Sequence, residues 1–175
     1  AIGFINRFTP LAAPVPFPTE VPIGKMIVDS REQSPSKFNI PYKVEKLEYG
    51  DYHFNNDKFN VFVERKSISD FIGTFGTGLD RFKREIERAA ADNAYLIVLV
   101  EENINKCLAF NKIPWVARHH KAAPEYIFRH VREVCQEYNN IQFLFADGRK
   151  AAHDLIYKIF FSGVNFREFD NQFAY

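Results

Sequence analysis

The sequence predicts a three-layer α/β domain built on a central mixed sheet. Apolar runs of strand length, Tyr95–Val100 and Ile141–Phe145, alternate with stretches whose apolar residues recur at helical spacing. Further upstream, two extended segments flank the turn signal Asn55-Asn56-Asp57, so at least one antiparallel pair joins strands that are otherwise linked by helices.

Residues 1–24 stand apart from this pattern. Pro10, Pro14, Pro16, Pro18 and Pro22 forbid regular helix and discourage central-strand pairing. The segment is nevertheless apolar, with Ile2, Phe4, Ile5, Phe8, Leu11 and Phe17, where a solvated linker is polar. It is expected to lie along the domain or against a partner. From Lys25 the pattern becomes regular. Met26-Ile27-Val28 reads as a buried strand with a polar end at Asp29, and residues 46–54 and 59–66 read as a hairpin. Leu79, Phe82, Ile86 and Ala89 mark an amphipathic helix over about residues 79–92. The continuously apolar Tyr95–Val100 suits a strand covered on both faces. Residues 103–123 read as irregular. Pro124 then opens a helix with Ile127, Val131, Val134 and Tyr138 inward. After a strand at 141–145, a last helix buries Leu155, Ile156, Ile159 and Phe160 and stops at Gly163. The expected organisation is an arm (1–24), one α/β domain (25–163) and an aromatic tail (164–175) with Phe166, Phe169, Phe173 and Tyr175.

A chain of 175 residues suits one domain with a proper core, and 19 Phe against one Trp predict that the core is built on phenylalanine. Lysine plus arginine (23) nearly balances aspartate plus glutamate (22), giving a formal charge of +1. Binding to a polyanion therefore needs a local basic face rather than net charge. Cys107 and Cys135 make no disulfide framework and read as reduced thiols. No stretch reaches the ~18 apolar residues of a membrane span, and the N-terminus lacks the pattern of a secretory leader. The expected location is the cytoplasm (of a prokaryote or a virus-infected cell) or the nucleus, not the outside of the cell.

Acidic residues stand where they are costly, at the ends of apolar strands. Asp29 follows Met26-Ile27-Val28, Asp51 lies in Leu47-Glu48-Tyr49-Gly50-Asp51-Tyr52, and Glu64 and Lys66 lie in Val61-Phe62-Val63-Glu64-Arg65-Lys66. Residues two apart in a strand share a face, so Glu64 and Lys66 project together, and the hairpin can set Asp51 across from Glu64. Three carboxylates in one place repel unless a cation joins them, and oxygen ligands of this kind suit Mg²⁺ or Mn²⁺. The Lys66 ammonium beside such a site can orient an attacking water.

An acid, a second acid and then Glu-x-Lys is the core of restriction-endonuclease-like nucleases. The surrounding words are more specific. Ile27-Val28-Asp29-Ser30-Arg31-Glu32, Gly50-Asp51-Tyr52 and Val63-Glu64-Arg65-Lys66-Ser67-Ile68-Ser69-Asp70 resemble, in order and spacing, the XPF family of structure-specific DNA endonucleases. Leu79-Asp80-Arg81-Phe82-Lys83-Arg84-Glu85 is similar to that family's next helix, with Glu85 where a glutamine is more usual. The resemblance covers about residues 25–162. It implies a restriction-endonuclease-like fold and metal-dependent cleavage of branched DNA such as flaps and forks, in repair or recombination. It also implies site roles for Arg31, Glu32, Arg65 and Asp70, and pairing through the nuclease domain as a homodimer or heterodimer. The family's tandem helix-hairpin-helix module has no counterpart among these residues.

Several residues carry two readings. Ser67-x-x-Asp70 has the spacing of a helix cap, so Asp70 serves the helix or the site. Arg31 and Arg65 bind the scissile phosphate or only neutralise the carboxylates; the resemblance favours phosphate. Arg81 and Arg84 are candidates for DNA contact, whereas Arg88 reads as a solvated partner of Glu85 and Glu87. Between Lys112 and Arg132, Arg118, His119, His120, Lys121, Arg129 and His130 face one acid, Glu125, with Trp115 nearby. Arg118 and Lys121 are the candidate phosphate contacts there. A zinc site from Cys107, His119, His120 and Cys135 fits no known spacing. The rivals to an active endonuclease of this type are a junction resolvase, an exonuclease and a non-catalytic DNA-binding subunit. A non-catalytic chain is expected to have lost part of the acidic set, which here is whole.

Overall fold

The computed structural model describes residues 8–11 and 13–170. Strands β1 (Thr9–Pro10), β2 (Met26–Asp29), β3 (Tyr42–Glu45), β4 (Tyr52–Phe54) and β5 (Val61–Lys66) precede helices α1 (Ile68–Thr74) and α2 (Leu79–Ala91). Then follow β6 (Tyr95–Val100), α3 (Ile104–Leu108), α4 (Pro114–His119), α5 (Pro124–Glu137), β7 (Ile141–Phe145), α6 (Arg149–Phe161) and β8 (Phe169–Asp170). The main sheet has six strands in the order β3-β2-β4-β5-β6-β7. β4 runs antiparallel to both of its neighbours, and the other pairs are parallel, so the sheet is mixed as expected.

The alternation of β6 explains the three layers. Leu96, Val98 and Val100 join Phe71, Phe75, Phe82, Ile86 and Val131 in a core beneath α1, α2 and α5. Tyr95, Ile97 and Leu99 join Met26, Val28, Val61, Val63, Leu155 and Ile156 in a second core beneath α6. All six residues of β6 are buried, because a helix layer covers each face. Phenylalanine does fill the first core. The Phe71 ring lies 5.3 Å from Phe75, 5.8 Å from Phe128 and 5.5 Å from Phe145, at the offset or edge-on distances aromatic pairs favour.

The structure corrects three expectations. The hairpin's first strand spans only Tyr52–Phe54, because Gly50 takes a left-handed conformation (φ 62°) and ends the extended run before it. The edge strand β3 escapes the sequence pattern, since all four of its residues are exposed and none contributes an apolar period. Residues 103–123 are not irregular. They form α3, a 3₁₀ turn (Phe110–Lys112) and α4, held by the buried Cys107, Phe110 and Val116. Helices of one or two turns are set by such tertiary anchors and are too short for a helical period to show.

The arm lies along the domain where it is described. Val15 is buried in the α6 core, the Phe17 ring is 5.7 Å from Tyr157, and β1 pairs in parallel with β8. The buried Gln142 holds the start of the tail by donating to the carbonyls of Phe166 (3.2 Å) and Phe169 (3.0 Å). Ile2, Phe4, Ile5, Phe173 and Tyr175 lie outside the described residues. Among the described residues no helix is long and apolar enough to cross a membrane.

Because Phe71 is fully buried at the centre of the ring cluster, Phe71→Ala should cost about 3–5 kcal/mol of unfolding free energy. Urea denaturation measures this, and a loss under about 1 kcal/mol would mean the rings are not close-packed.

Candidate active site

Three hydrogen bonds from backbone N–H groups gather the acidic residues. Asp29 N–H donates to the Asp51 carbonyl (2.8 Å), and Asp51 N–H donates to the Val63 carbonyl (2.8 Å). Arg65 N–H then donates to the Asp51 carboxylate at 2.8 Å. Gly50 makes this possible, since a Cβ there would stand 2.8 Å from the Val63 carbonyl oxygen. The loop before Asp51 is pinned to α2 by Tyr49, whose hydroxyl donates to the Asp92 carboxylate and lies 3.2 Å from the Arg88 carbonyl oxygen.

Asp51 and Glu64 lie where two open cavities meet, of about 580 and 700 Å³. Asp29, Arg84 and Arg88 line the first; Lys66, Ser69, Asp70 and His120 line the second; Arg31, Arg81 and Glu85 line both. The floor is therefore acidic and the rim basic. Burial pushes the Asp51 carboxyl up to about 7, against the pull of the Arg65 N–H, and the charges of Glu64 and Glu32 add to the push. Lys66 Nζ lies 3.2 Å from Glu64 Oε1, so the two do share a face as predicted.

Asp29 departs from expectation. Its carboxylate is enclosed, accepting Leu47 N–H on Oδ1 (2.9 Å) and Arg31 Nε on Oδ2 (2.8 Å). Desolvation works to raise its pKa, but the Arg31 and Leu47 bonds outweigh it and hold the carboxyl below its ordinary range. Its oxygens are thus committed to protein donors. Among the described residues no group of three or more His, Cys, Asp or Glu side chains stands ready to hold a metal ion. The expected triad of Asp29, Asp51 and Glu64 is not assembled as such; Asp51 and Glu64 share the floor, while Asp29 braces Arg31.

Arg65 is a second correction. Alternation along β5 sends its guanidinium to the α6 side, away from Glu64 and Lys66. There it meets Glu101 (2.9 Å), Glu32 (3.3 Å) and the Ser34 carbonyl (2.5 Å), with only 9% of the side chain exposed. This geometry favours neutralisation over a phosphate contact. Glu32 is brought close, as a partner of Arg65. Asp70 N–H donates to the capping Ser67 hydroxyl (3.1 Å), and the residue lines the larger cavity.

The sequence reading underrated Glu85, which lies at the junction of the cavities. Burial and the charge of Glu64 raise its pKa. A signal existed: Arg81, Glu85 and Arg88 are spaced i, i+4, i+7 on one stripe. Arg88 also lines the groove, rather than being merely solvated. His120, counted in the basic stretch and in the zinc grouping, hydrogen-bonds Ser69 (2.7 Å) and so joins that stretch to the cavity edge. Arg118, His119 and Lys121 are exposed just beside it. Among the described residues the zinc grouping does not form: both cysteines are buried in the core beneath α1, α2 and α5, and burial pushes the Cys107 thiol up to about 12.

Comparison with known proteins agrees with this architecture. The ERCC4 domain family matches residues 28–159, and the chain belongs to that family. The fold is shared with XPF from Aeropyrum pernix (TM-score 0.57, 21% identity), over 77% of this chain and 59% of that one. It is also shared with XPF from Aeropyrum pernix in complex with DNA (TM-score 0.57, 19% identity, 79% of this chain and 63% of that one). The chain thus spans about three-fifths of those proteins' length. No curated protein matches it in sequence. The XPF-type nuclease fold that the sequence words implied is the fold observed.

The raised Asp51 pKa has a consequence for stability. The folded value of about 7 exceeds the ordinary 3.8, so the native state binds the proton more tightly than the unfolded chain. Asp51's contribution to stability therefore falls as pH rises from about 4 to about 7. Asp51→Asn should raise the melting temperature in metal-free buffer at pH 8, with a gain that shrinks towards pH 4 and corresponds to at most ~4 kcal/mol. Equal melting temperatures at both pH values would contradict a buried, uncompensated carboxyl.

Proposed function

We propose that this chain is a Mg²⁺- or Mn²⁺-dependent endonuclease that hydrolyses phosphodiester bonds in branched DNA such as flaps and forks. Membership of the ERCC4 family supports the class, that of structure-specific DNA nucleases. The observation that carries the chemistry is the junction of Asp51 and Glu64, two carboxylates on the floor of a groove rimmed by Arg31, Arg81, Arg84 and Arg88. A DNA strand along the groove meets arginine on its phosphates and carboxylate beneath the reacting one.

The donor set fits a small hard cation. Mg²⁺ is commonly held by one or two carboxylates together with substrate phosphate and water, so Asp51 and Glu64 suffice on the protein side. A bound cation supplies charge for the developing oxyanion and lowers the pKa of a water. The chain's own residues do the rest. Lys66, beside Glu64, holds the attacking water and offsets charge in the transition state. Asp29 fixes Arg31 through its Nε, leaving a side chain that is 63% exposed at the rim for a phosphate. Glu32 and Glu101 neutralise Arg65, whose backbone N–H keeps Asp51 in place. Arg118 and Lys121 extend the basic surface beyond the Ser69–His120 contact.

The deciding experiment is cleavage of matched flap, fork, four-way junction, single-stranded and duplex DNA with Mg²⁺ or Mn²⁺. Flaps and forks should be cut first; absence of cutting on every substrate with either ion would overturn the reading. Asp51→Asn should also abolish the heat of Mn²⁺ binding in calorimetry, and unchanged metal affinity with full activity would remove Asp51 from the ion. Lys66→Ala should slow single-turnover cleavage by about 100-fold or more, with DNA affinity little changed. The reverse pattern would make Lys66 a phosphate contact. Arg118→Ala with Lys121→Ala should flatten the slope of log affinity against log salt by roughly two. Measured in Ca²⁺ to suppress cutting, the change should be alike for branched and duplex DNA. An unchanged slope would place the DNA elsewhere.

A further inference from the structure

Helix α4 carries an exposed tryptophan among cations. Val116 is fully buried and anchors the helix. Its neighbour Trp115, about 100° away around the axis, therefore turns outward, and it is 47% exposed. Arg118 and His119 follow at three and four residues, share its stripe and are exposed as well. Lys112 precedes α4, and Lys121 follows it with Nζ donating to the Ala117 carbonyl (3.0 Å). From Asn103 to Pro124 the chain has no acidic residue, although acids and bases nearly balance overall. An indole left half in water on such a surface is typical of a ring that meets a ligand. Other exposed rings are already engaged: Phe17 lies against Tyr157, and Tyr126 has the Arg129 guanidinium at 5.4 Å and the His130 ring at 4.6 Å. Among the described residues no ring or cation is stacked on Trp115.

The same helix ends at the active site. Its C-cap, His120, hydrogen-bonds Ser69 at 2.7 Å, and both residues line the cavity that holds Asp51, Glu64 and Lys66. The rise along the axis from Trp115 to His120 is only about 8 Å. A polymer leaving the cavity past His120 thus meets Arg118 and Lys121 and then the indole. This order of groups fits one occupant. Cations without an acid suit a polyanion, and an open aromatic face suits a flat ring that stacks on it. In duplex DNA the faces of each base are covered by the bases above and below, so a free face exists only on an unpaired strand.

We propose that an unpaired strand of DNA leaves the active-site cavity along α4, with one base stacked on Trp115 and its phosphates on Arg118 and Lys121. This rests on the nuclease reading above and names the part of a branched substrate that α4 recognises. The phosphate contacts do not tell a single strand from a duplex, whereas the indole does. Trp115 is therefore the residue through which this surface selects the unpaired arm of a branch.

Trp115 is the single tryptophan of the chain, so its emission, excited beyond the tyrosine band, reports on this place alone. With Ca²⁺ present to suppress cutting, an oligothymidine single strand and a flap should both quench that emission. A long blunt duplex bound to the same saturation should leave it nearly unchanged. Trp115→Ala should weaken binding of the single strand about tenfold and of the blunt duplex less than about twofold, read from the anisotropy of labelled DNA. Trp115→Phe keeps a stacking face and should stay within about threefold of the wild type. Emission that the single strand leaves unchanged would overturn the proposal, whatever the variants do. So would equal quenching by the blunt duplex, or emission that shifts with protein concentration in the absence of DNA, which would make the indole a protein contact. The readout does not depend on cleavage. Quenching without cutting of any substrate would overturn the nuclease activity and keep the strand path; cutting of flaps without quenching would overturn the path alone.

Discussion

Backbone hydrogen bonds at Asp51 join the two halves of the site. β2 ends at Asp29 and β5 carries Glu64, and neither pairs directly with the other; the short β4 lies between them. Asp51, just before β4, accepts from the Asp29 backbone and donates to the Val63 backbone, so one residue spans the gap. The close approach to Val63 requires a residue without a Cβ at position 50 and a left-handed turn there. The cavities, the acidic floor and the orientation of the arginine rim all follow from where this turn delivers the carboxylate.

The site separates charge by function across the two faces of the sheet. On the α2 side, Asp51, Glu64 and Glu85 crowd together, and burial with mutual repulsion raises the pKa of Asp51 and Glu85. On the α6 side, Arg65 is shared between Glu32 and Glu101 and is almost wholly enclosed. A single strand thus carries, on successive residues, an acidic cluster only partly offset by Lys66 and a compensated ion-pair network. The first arrangement costs stability and suits a cation; the second holds the strand end rigid. Glu85 extends the acidic cluster to α2, a helix otherwise presenting arginines, and so ties the floor of the groove to its rim.

The sheet edges complete the account. The fully covered β6 and β7 make the rigid half of the domain, and helices α1, α2 and α5 are packed on it by the phenylalanine cluster. The site lies on the other half, nearer the open β3 edge, where Asp29 is the register partner of Glu45.

Much of this protein was legible in its sequence. Strand and helix periods located β2, β5, β6, β7, α2, α5 and α6, because each buries a continuous face and burial writes a period into the residues. The words around Asp29, Asp51, Glu64 and Lys66 gave the fold family, and two-residue alternation put Glu64 and Lys66 together. Other features depend on what arrives from elsewhere in the fold. Whether the Asp29 carboxylate is open or committed was decided by Leu47 N–H, eighteen residues away. Whether Arg65 meets phosphate was decided by Glu101 just past the end of β6, and the place of Glu85 by the packing of α2 over β5. The exposed β3 and the short helices of 103–123 left no period, since neighbours rather than a repeating buried face hold them in shape. Local burial patterns and the run of strand and helix were fixed along the chain; the partners of each charge were fixed only when distant elements closed around it.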